Sequence, residues 1–160
     1  MKNIILLFIT LFLFACTKQV PENTESKVTA VFDNLKAIKY GADDYGMKSY
    51  VMAFLKRGPN RDQDSITAAE LQNAHLKNII RMANEGVLIL AGPFLDDGEI
   101  RGIYIFNVET VEEAKALTAT DPAIQAGRLE MELHPWYGSA ALMEVTQISK
   151  TLAKKSIAGD

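Results

Sequence analysis

The order of elements expected along the chain predicts an α+β fold of ferredoxin-like topology. From residue 49 the sequence indicates strand, helix, strand, strand, helix, strand, which is the split βαβ arrangement with two helices on one face of a four-stranded antiparallel sheet. Three observations support this order: two capping boxes that each begin a helix, a tight turn between two apolar runs, and a final segment of alternating apolar and polar residues. We therefore expect a βαββαβ domain with extra helices at both ends.

The first strand and the first helix of this domain have clear sequence limits. Residues 49–56 are short and largely apolar and are followed by Gly58 and a proline, which predicts a strand buried on both faces. A capping box that starts at Thr67 predicts a helix from residue 68 to residue 84 or 85. Gly86 would end this helix in the left-handed conformation.

The second half of the domain follows the same logic. Residues 87–95 and 99–108 indicate two antiparallel strands, because the Asp-Asp-Gly segment between them is typical of a hairpin turn. A second capping box, formed by Thr110 and Glu113, predicts a helix that reaches about residue 118. Residues 129–133 alternate strictly, so the last strand should have one apolar face and one solvent-exposed face.

Apolar residues that recur every three or four positions predict helices before and after the sheet domain in the sequence. Residues 27–47 form the expected N-terminal helical extension, in which Gly41 is placed as a C-terminal cap. Residues 139–160 form a C-terminal helical tail with a weaker apolar stripe and a Lys-rich end. The stretch between them, residues 48–138, is the expected sheet domain.

The first and third strands are apolar on both sides. Since helices cover only one face of the sheet, the second face should pack on another sheet, most simply that of an identical subunit. Met52 and Tyr104 are expected to face that partner. The sequence therefore predicts a homodimer.

The N-terminal segment has the features of a secretory signal peptide over residues 1–15. A positive start precedes an apolar region of 11 residues, and a small residue follows. The Leu-Phe-Ala-Cys segment that ends at Cys16 resembles the lipobox of bacterial lipoproteins, in which this cysteine becomes the lipidated first residue. Residues 16–26 are a polar linker, which disfavours the alternative of a buried N-terminal helix. We expect a lipid-anchored protein of the bacterial cell envelope, on its periplasmic or outer face.

Composition excludes several classes of protein. The chain has 160 residues, a formal net charge of −3 and no face-long basic run, so avid non-specific binding to nucleic acid is not expected. Its single cysteine cannot form an internal disulfide. Because no group of His, Cys or carboxylate residues has metal-ligand spacing and no Gly-rich phosphate loop is present, the sequence suggests neither a metal nor a nucleotide cofactor.

His75 is the strongest candidate for chemistry. On a helical wheel it lies between Leu71 and Ile79, in the middle of an inward face. It is either a neutral core histidine with one polar partner or a general base that apolar surroundings keep ready to accept a proton near neutral pH. His134 alternates onto the polar face with Glu132, so solvent exposure is expected there.

Asp121 also allows two interpretations. In the first, Asp121 is the N-cap of one short helical turn, Pro122 is its first residue and Gly127 ends it. A carboxylate in the loop before the last strand can instead orient a histidine and stabilise its protonated form. One side chain can perform both roles.

Five short motifs, taken together, resemble the YCII-related family. They are, in order, Phe54-Leu-Lys-Arg-Gly-Pro-Asn60, Ala74-His75-Leu76, Leu90-Ala-Gly-Pro-Phe94, Asp121-Pro122 with Ala126-Gly127, and His134-Pro-Trp136. The resemblance covers residues 48–138 and implies a small ferredoxin-like domain of the dimeric α+β barrel type. The helical segments before and after these residues lie outside it.

The resemblance also implies a site. Family members have a pocket with a His and an Asp as a catalytic pair, which correspond here to His75 and Asp121, and Gly92, Pro93 and Phe94 would form the pocket wall. One branch of the family is similar to dehydrochlorinases and isomerases that abstract a proton near a carbonyl or phenol without a cofactor. The function expected on this basis is a lyase or isomerase with His75 as acid and base. The alternatives are a non-catalytic module that binds a small anion in the same pocket and a purely structural protein.

Overall fold

The computed structural model describes residues 30–159. The signal peptide, Cys16, the whole linker and residues 27–29 of the expected N-terminal extension lie outside the described residues, so the expectations for them stay predictions. The residues from Asp33 onward form a unit of their own, which contains the sheet. Among residues 30–159, none of the helices combines the length and the apolar character that a membrane span requires.

A four-stranded antiparallel sheet organises this unit. Its strands are β1 (Met47–Arg57), β2 (Leu88–Pro93), β3 (Ile100–Phe106) and β4 (Leu129–Ser139). The order across the sheet is β2-β3-β1-β4, with β1 paired antiparallel to both β3 and β4. The first strand, β1, therefore lies in the interior of the sheet, and the last strand, β4, is its neighbour at the edge. This is the topology that the sequence predicted.

Helices complete the α+β arrangement. The helices are α1 (Asn34–Tyr40), α2 (Ser65–Asn84), α3 (Val111–Thr118), α4 (Pro122–Gln125) and α5 (Val145–Leu152), and a 3₁₀ turn (Ala140–Glu144) precedes the last of them. Met82 of α2 and Ala114 of α3 belong to one core cluster with Val51 and Ala53 of β1. The predicted fold class, a ferredoxin-like βαββαβ domain with extra helices at both ends, is confirmed.

The start of α2 differs from the sequence expectation by one turn. Asp64, not Thr67, is the N-cap: its Oδ1 accepts the backbone N–H groups of Ile66 at 2.8 Å and Thr67 at 2.9 Å. The predicted start at residue 68 is therefore wrong, because a carboxylate three residues upstream satisfies the free amides that the Thr67 hydroxyl was expected to serve. The end is as expected, since Gly86 adopts a φ of 75° after the last helical turn.

Other element limits were predicted with mixed accuracy. The second capping box is present, with Thr110 and Glu113 bonded reciprocally at the start of α3. Within the expected N-terminal extension the helix α1 occupies seven residues only, because the Asp33 side chain caps its start and Gly41 ends it. The last strand is longer than residues 129–133 and extends to Ser139, which pairs with Met47 at the start of β1.

The two faces of the sheet are covered in different ways. Alternate residues of β1, Val51, Ala53 and Leu55, face α2 and α3. Tyr50 lies on the opposite face with Ile105, in a cluster whose partners come from β4, the 3₁₀ turn and α5.

This second cluster corrects the expectation that another sheet alone covers the outer face. The C-terminal segment of the same chain packs there through Leu142, Met143 and Val145, and the Thr146 hydroxyl donates to the Ile89 carbonyl at 3.3 Å. Tyr104 was expected to face a partner subunit, and that expectation is wrong. It is 1% exposed and lies in the cluster beneath the helices. Met52 does lie on the outer face, where it is half-buried.

Candidate functional site

The site begins with a histidine on the buried face of α2. The helix buries His75, Asn78 and Met82 against the sheet, and His75 is 6% exposed. A histidine at such a position needs hydrogen-bond partners, since an unpaired polar ring buried in an apolar core is costly.

Asp121 supplies one of these partners while it also caps a helix. Its Oδ1 accepts the Ala123 backbone N–H at 2.9 Å and thereby begins α4, and its Oδ2 lies 2.6 Å from Nδ1 of His75. The carboxyl group is fully buried. The structure thus brings together the two residues that the motifs singled out, although 46 positions separate them in sequence.

The geometry fixes which ring nitrogen carries the proton. A carboxylate only accepts hydrogen bonds, so Nδ1–H of His75 donates to Asp121, and in the neutral ring the lone pair is then on Nε2. The Tyr104 hydroxyl lies 3.3 Å from this Nε2, and the two rings stack at an interplanar angle of 19°. Burial and the nearby charge of Asp121 raise the pKa of Tyr104, so its hydroxyl stays protonated and donates to Nε2.

A cavity of about 290 Å³ adjoins this chain of hydrogen bonds. His75 and Tyr104 both line it, and Gly92, Pro93 and Phe94 form part of its wall. Gly92 leaves room there, since a β-carbon added to it would meet no atom within 4 Å. The arrangement therefore places a histidine, whose Nε2 is hydrogen-bonded to the Tyr104 hydroxyl, beside space for a small molecule.

Comparison with known proteins agrees with the motif resemblance. The family model of the YCII-related domain matches residues 49–137, which is more than half of the chain. The chain belongs to the YCII-related family.

Among solved structures, this YCII-related chain is similar to 5-chloro-2-hydroxyhydroquinone dehydrochlorinase from Burkholderia phenoliruptrix, in a complex with 2,5-dihydroxybenzoquinone. The similarity has a TM-score of 0.41 and 17% sequence identity, and it covers 54% of this chain and 92% of that chain. No curated protein matches the chain in sequence.

Four site residues of the YCII-related chain escaped the sequence analysis. Tyr104 was placed on the wrong face, because the alternation of β3 shows two faces without showing which one the helices cover. Three arginines also line the cavity: Arg61, Arg101 and Arg128. They come from separate segments, and no spacing in the sequence connects them.

His134 forms a second histidine–carboxylate pair, on the outer face. Its Nε2 lies 2.9 Å from Oε1 of Glu132, and the two side chains are 50% and 46% exposed. Glu132 also accepts a hydrogen bond from Lys56, and Lys56 together with His134 lowers the pKa of the Glu132 carboxyl group. The exposure expected for His134 is what the structure shows.

Metal-ligating residues are not clustered in the part of the chain that the structure describes. Within residues 30–159, no group of three or more His, Cys, Asp or Glu side chains has a geometry that could hold a metal ion.

Proposed function

We propose that this YCII-related protein catalyses a proton transfer on a small organic substrate, as a lyase or an isomerase, with His75 as the acid and base. The observation that carries the proposal is the buried chain of hydrogen bonds from Asp121 through His75 to Tyr104, next to a cavity. A positioned base with an orienting carboxylate and an adjacent space is the minimum that such chemistry requires.

Each side chain has a definite role in this reaction. Nε2 of His75 takes a proton either from a carbon next to a carbonyl carbon or from the hydroxyl of a phenol. In the first case the C–H electron pair forms the C=C bond of an enolate and the C=O π pair moves onto the oxygen, and in the second case the O–H electron pair stays on the oxygen as a phenolate. When a substrate binds, the Tyr104 hydroxyl gives up its hydrogen bond to Nε2, donates instead to the substrate oxygen and stabilises the negative charge that develops there. Asp121 holds the ring in position and stabilises the imidazolium.

Two outcomes complete the reaction. In an elimination, the electron pair expels a leaving group such as chloride from the neighbouring carbon, and His75 later releases its proton to solvent. In an isomerisation, His75 returns the proton to a different carbon. Both outcomes need only one base at one position.

A non-catalytic binding module is the second candidate, and one observation favours it. Both ring nitrogens of His75 already have a partner, so the network is satisfied without any substrate. Such a protein would use the same cavity to hold a ligand that leaves unchanged.

Ligand identification followed by isotope exchange separates the two candidates. A thermal-shift screen of a library of small cyclic acids, enones and hydroxyquinones finds compounds that raise the unfolding temperature, because a ligand of the native state stabilises it. Each compound found is then incubated with the protein in D₂O and followed by proton NMR. We expect deuterium incorporation, elimination or isomerisation with the wild type and none with His75→Gln. Binding without chemical change in the wild type would instead support the binding module.

We also propose that Cys16 anchors the protein to the cell envelope. The lipobox-like sequence and the polar linker after it support this proposal. Replacement of Cys16 by Ser should release the protein from the membrane fraction, because the apolar region that precedes it is too short to span a bilayer. Recovery of the variant in carbonate-washed membranes would contradict the anchor.

A further inference from the structure

Three arginines converge on the cavity beside His75 from different parts of the chain. Arg61 lies in the loop after β1, Arg101 in β3, and Arg128 immediately before β4. Nη1 of Arg61 donates to the Arg128 carbonyl at 3.1 Å, so two of the three are directly connected.

The negative charge that would balance these arginines is largely absent from the cavity. Among the residues that the structure describes, no Asp or Glu lines it. Arg101 is paired with Asp97, at 3.2 Å. In contrast, Arg128 donates to the neutral Gln63 side chain at 2.7 Å, and within residues 30–159 neither Arg61 nor Arg128 forms an ion pair with a carboxylate.

Positive charges that converge in this way repel one another. Burial and the charges of Arg128, Arg57 and Arg101 lower the pKa of Arg61. The chain as a whole is acidic, with a formal net charge of −3, so the cluster is a local feature. A bound anion would remove the repulsion.

Backbone packing holds the two unpaired arginines in place. The loop before Arg61 lies tightly against the turn before Arg128: a β-carbon on Gly58 would lie 2.2 Å from the Gly127 carbonyl oxygen. Hydrogen bonds from Gly58 N to Arg128 O at 2.9 Å and from Asn60 N to Gly127 O at 3.0 Å fix the contact. The backbones that carry the two arginines are therefore fixed relative to each other, and each guanidinium group is oriented by a hydrogen bond to a neutral acceptor and not by a salt bridge.

The rest of the cavity is apolar and small. Apart from the arginines, His75, Tyr104 and Gln72, its lining consists of apolar residues and glycines, and its volume of about 290 Å³ is at the low end for small-molecule sites. A fitting ligand has one anionic group and a compact apolar body.

We propose that Arg61 and Arg128 bind the carboxylate of a small, otherwise apolar organic acid, and that this contact places the body of the acid against His75 and Tyr104. Guanidinium groups suit this role because their planar N–H donors match a carboxylate. The proposal names the substrate class of the proton transfer proposed above and rests on it only for what His75 then does. The anion contact itself depends on the arginines alone.

Benzoate and benzamide test the proposal, since they share a shape and differ in charge. Their dissociation constants for the full chain are measured by isothermal titration calorimetry. We expect benzoate to bind at least about tenfold more tightly than benzamide, because charge-assisted hydrogen bonds are worth more than neutral ones. Equal binding of the two probes, or no binding of benzoate at millimolar concentration, would overturn the carboxylate site. This comparison uses only the wild type and so does not depend on the folding of any variant.

Three variants locate the binding. Arg61→Gln and Arg128→Gln should each weaken benzoate binding about tenfold or more. The matched control is Arg81→Gln, which removes an arginine that is paired with Glu85 on α2 and does not line the cavity. It should bind benzoate within about twofold of the wild type. Equal losses in all three variants would mean a general effect of net charge and would overturn the assignment.

His75→Gln separates this proposal from the proposed function. The variant should keep benzoate binding, because the arginines remain, and lose turnover. If the wild type binds benzoate but changes none of the compounds found in the thermal-shift screen, the carboxylate site stands and the proton transfer is overturned. If the wild type converts uncharged compounds as readily as acids, the proton transfer stands and the carboxylate site is overturned.

Discussion

The domain contains two histidine–carboxylate pairs whose hydrogen-bond lengths are similar and whose surroundings differ. His75 and Asp121 are joined at 2.6 Å beneath the helices, with side chains that are 8% and 0% exposed. His134 and Glu132 are joined at 2.9 Å on the outer face, with side chains about half exposed. Water competes for the second pair and screens it, so its contribution to stability is small.

The two pairs also differ in how many further contacts hold their side chains in place. Asp121 is held by the start of α4, and the second ring nitrogen of His75 lies beside Tyr104. Glu132 is shared with the long, flexible side chain of Lys56. A histidine beside a carboxylate is therefore a candidate site only where burial and further bonds fix both groups next to a cavity.

Histidine replacements should give the largest contrast between the pairs. His75→Gln should lower turnover of an identified substrate by at least about 10²-fold, because it removes the base. His134→Gln should leave turnover within about twofold of the wild type, since it does not line the cavity. Steady-state kinetics on both variants measure this, and a comparable loss in His134→Gln would break the distinction.

Carboxylate replacements should give the next largest contrast. Asp121→Asn presents an amide N–H to Nδ1–H of His75 or deprives Ala123 of its acceptor, so we expect a loss of about 1–3 kcal/mol in unfolding free energy together with reduced turnover. Glu132→Gln replaces an exposed partner and should leave the denaturation midpoint unchanged. Urea unfolding of the two variants is the measurement, and equal stability of both would show that burial is not what distinguishes the pairs.

A dimer formed through the outer face would reduce the difference in exposure between the two histidine–carboxylate pairs, because it would bury the His134 pair. The α5 segment covers only part of this face, and Met52, Phe54 and Ile103 remain partly exposed near His134. We propose that a second copy of the chain covers them, and we expect sedimentation at micromolar concentration to show a dimer that Met52→Asp dissociates. A monomeric wild type would contradict this proposal and leave His134 in solvent.

The smallest expected effect is a loss of unfolding free energy at alkaline pH. It involves Tyr104, which contacts His75 and therefore belongs to the buried pair only. The pKa of Tyr104 is raised in the folded state above its ordinary value of 10.0. Its contribution to stability is therefore fully present below pH 10 and is lost as the pH rises further, because the unfolded chain then releases the proton more readily. Tyr104→Phe should reduce the loss of stability between pH 10 and pH 11, measured by urea unfolding. The same slope in both proteins would contradict the burial of this hydroxyl.

Local signals in the sequence were enough for most of the fold. The capping box at Thr110 depends on neighbours within a few residues, and such contacts do not require the rest of the fold. The antiparallel pairing of β2 and β3 was also predicted, but six residues, 94–99, connect the two strands instead of the expected tight Asp-Asp-Gly turn. The start of α2 shows the limit of this reasoning. Asp64 and Thr67 both fit an N-cap, and their sequence spacing does not decide which oxygen reaches the free amides.

The candidate site could be predicted only where motifs carried it. His75 lies on the inward face of its helix because apolar residues recur around it, and its pairing with Asp121 was expected from the family resemblance. Arg61 and Arg128 had no such signal. They meet because Gly58 and Gly127 let two distant backbones approach, which is a property of packing and not of spacing.

The sequence by itself therefore determined the order of elements and the alternation of the strands, because each follows from local geometry, and through its motifs it named two candidate site residues, His75 and Asp121. Tertiary structure alone decided which face of β3 lies under the helices, and so placed Tyr104 beside His75. It also decided that the C-terminal segment covers part of the outer face and that three arginines share one cavity. These outcomes depend on contacts between residues far apart in the chain, whose relative positions are set only when the whole core packs at once.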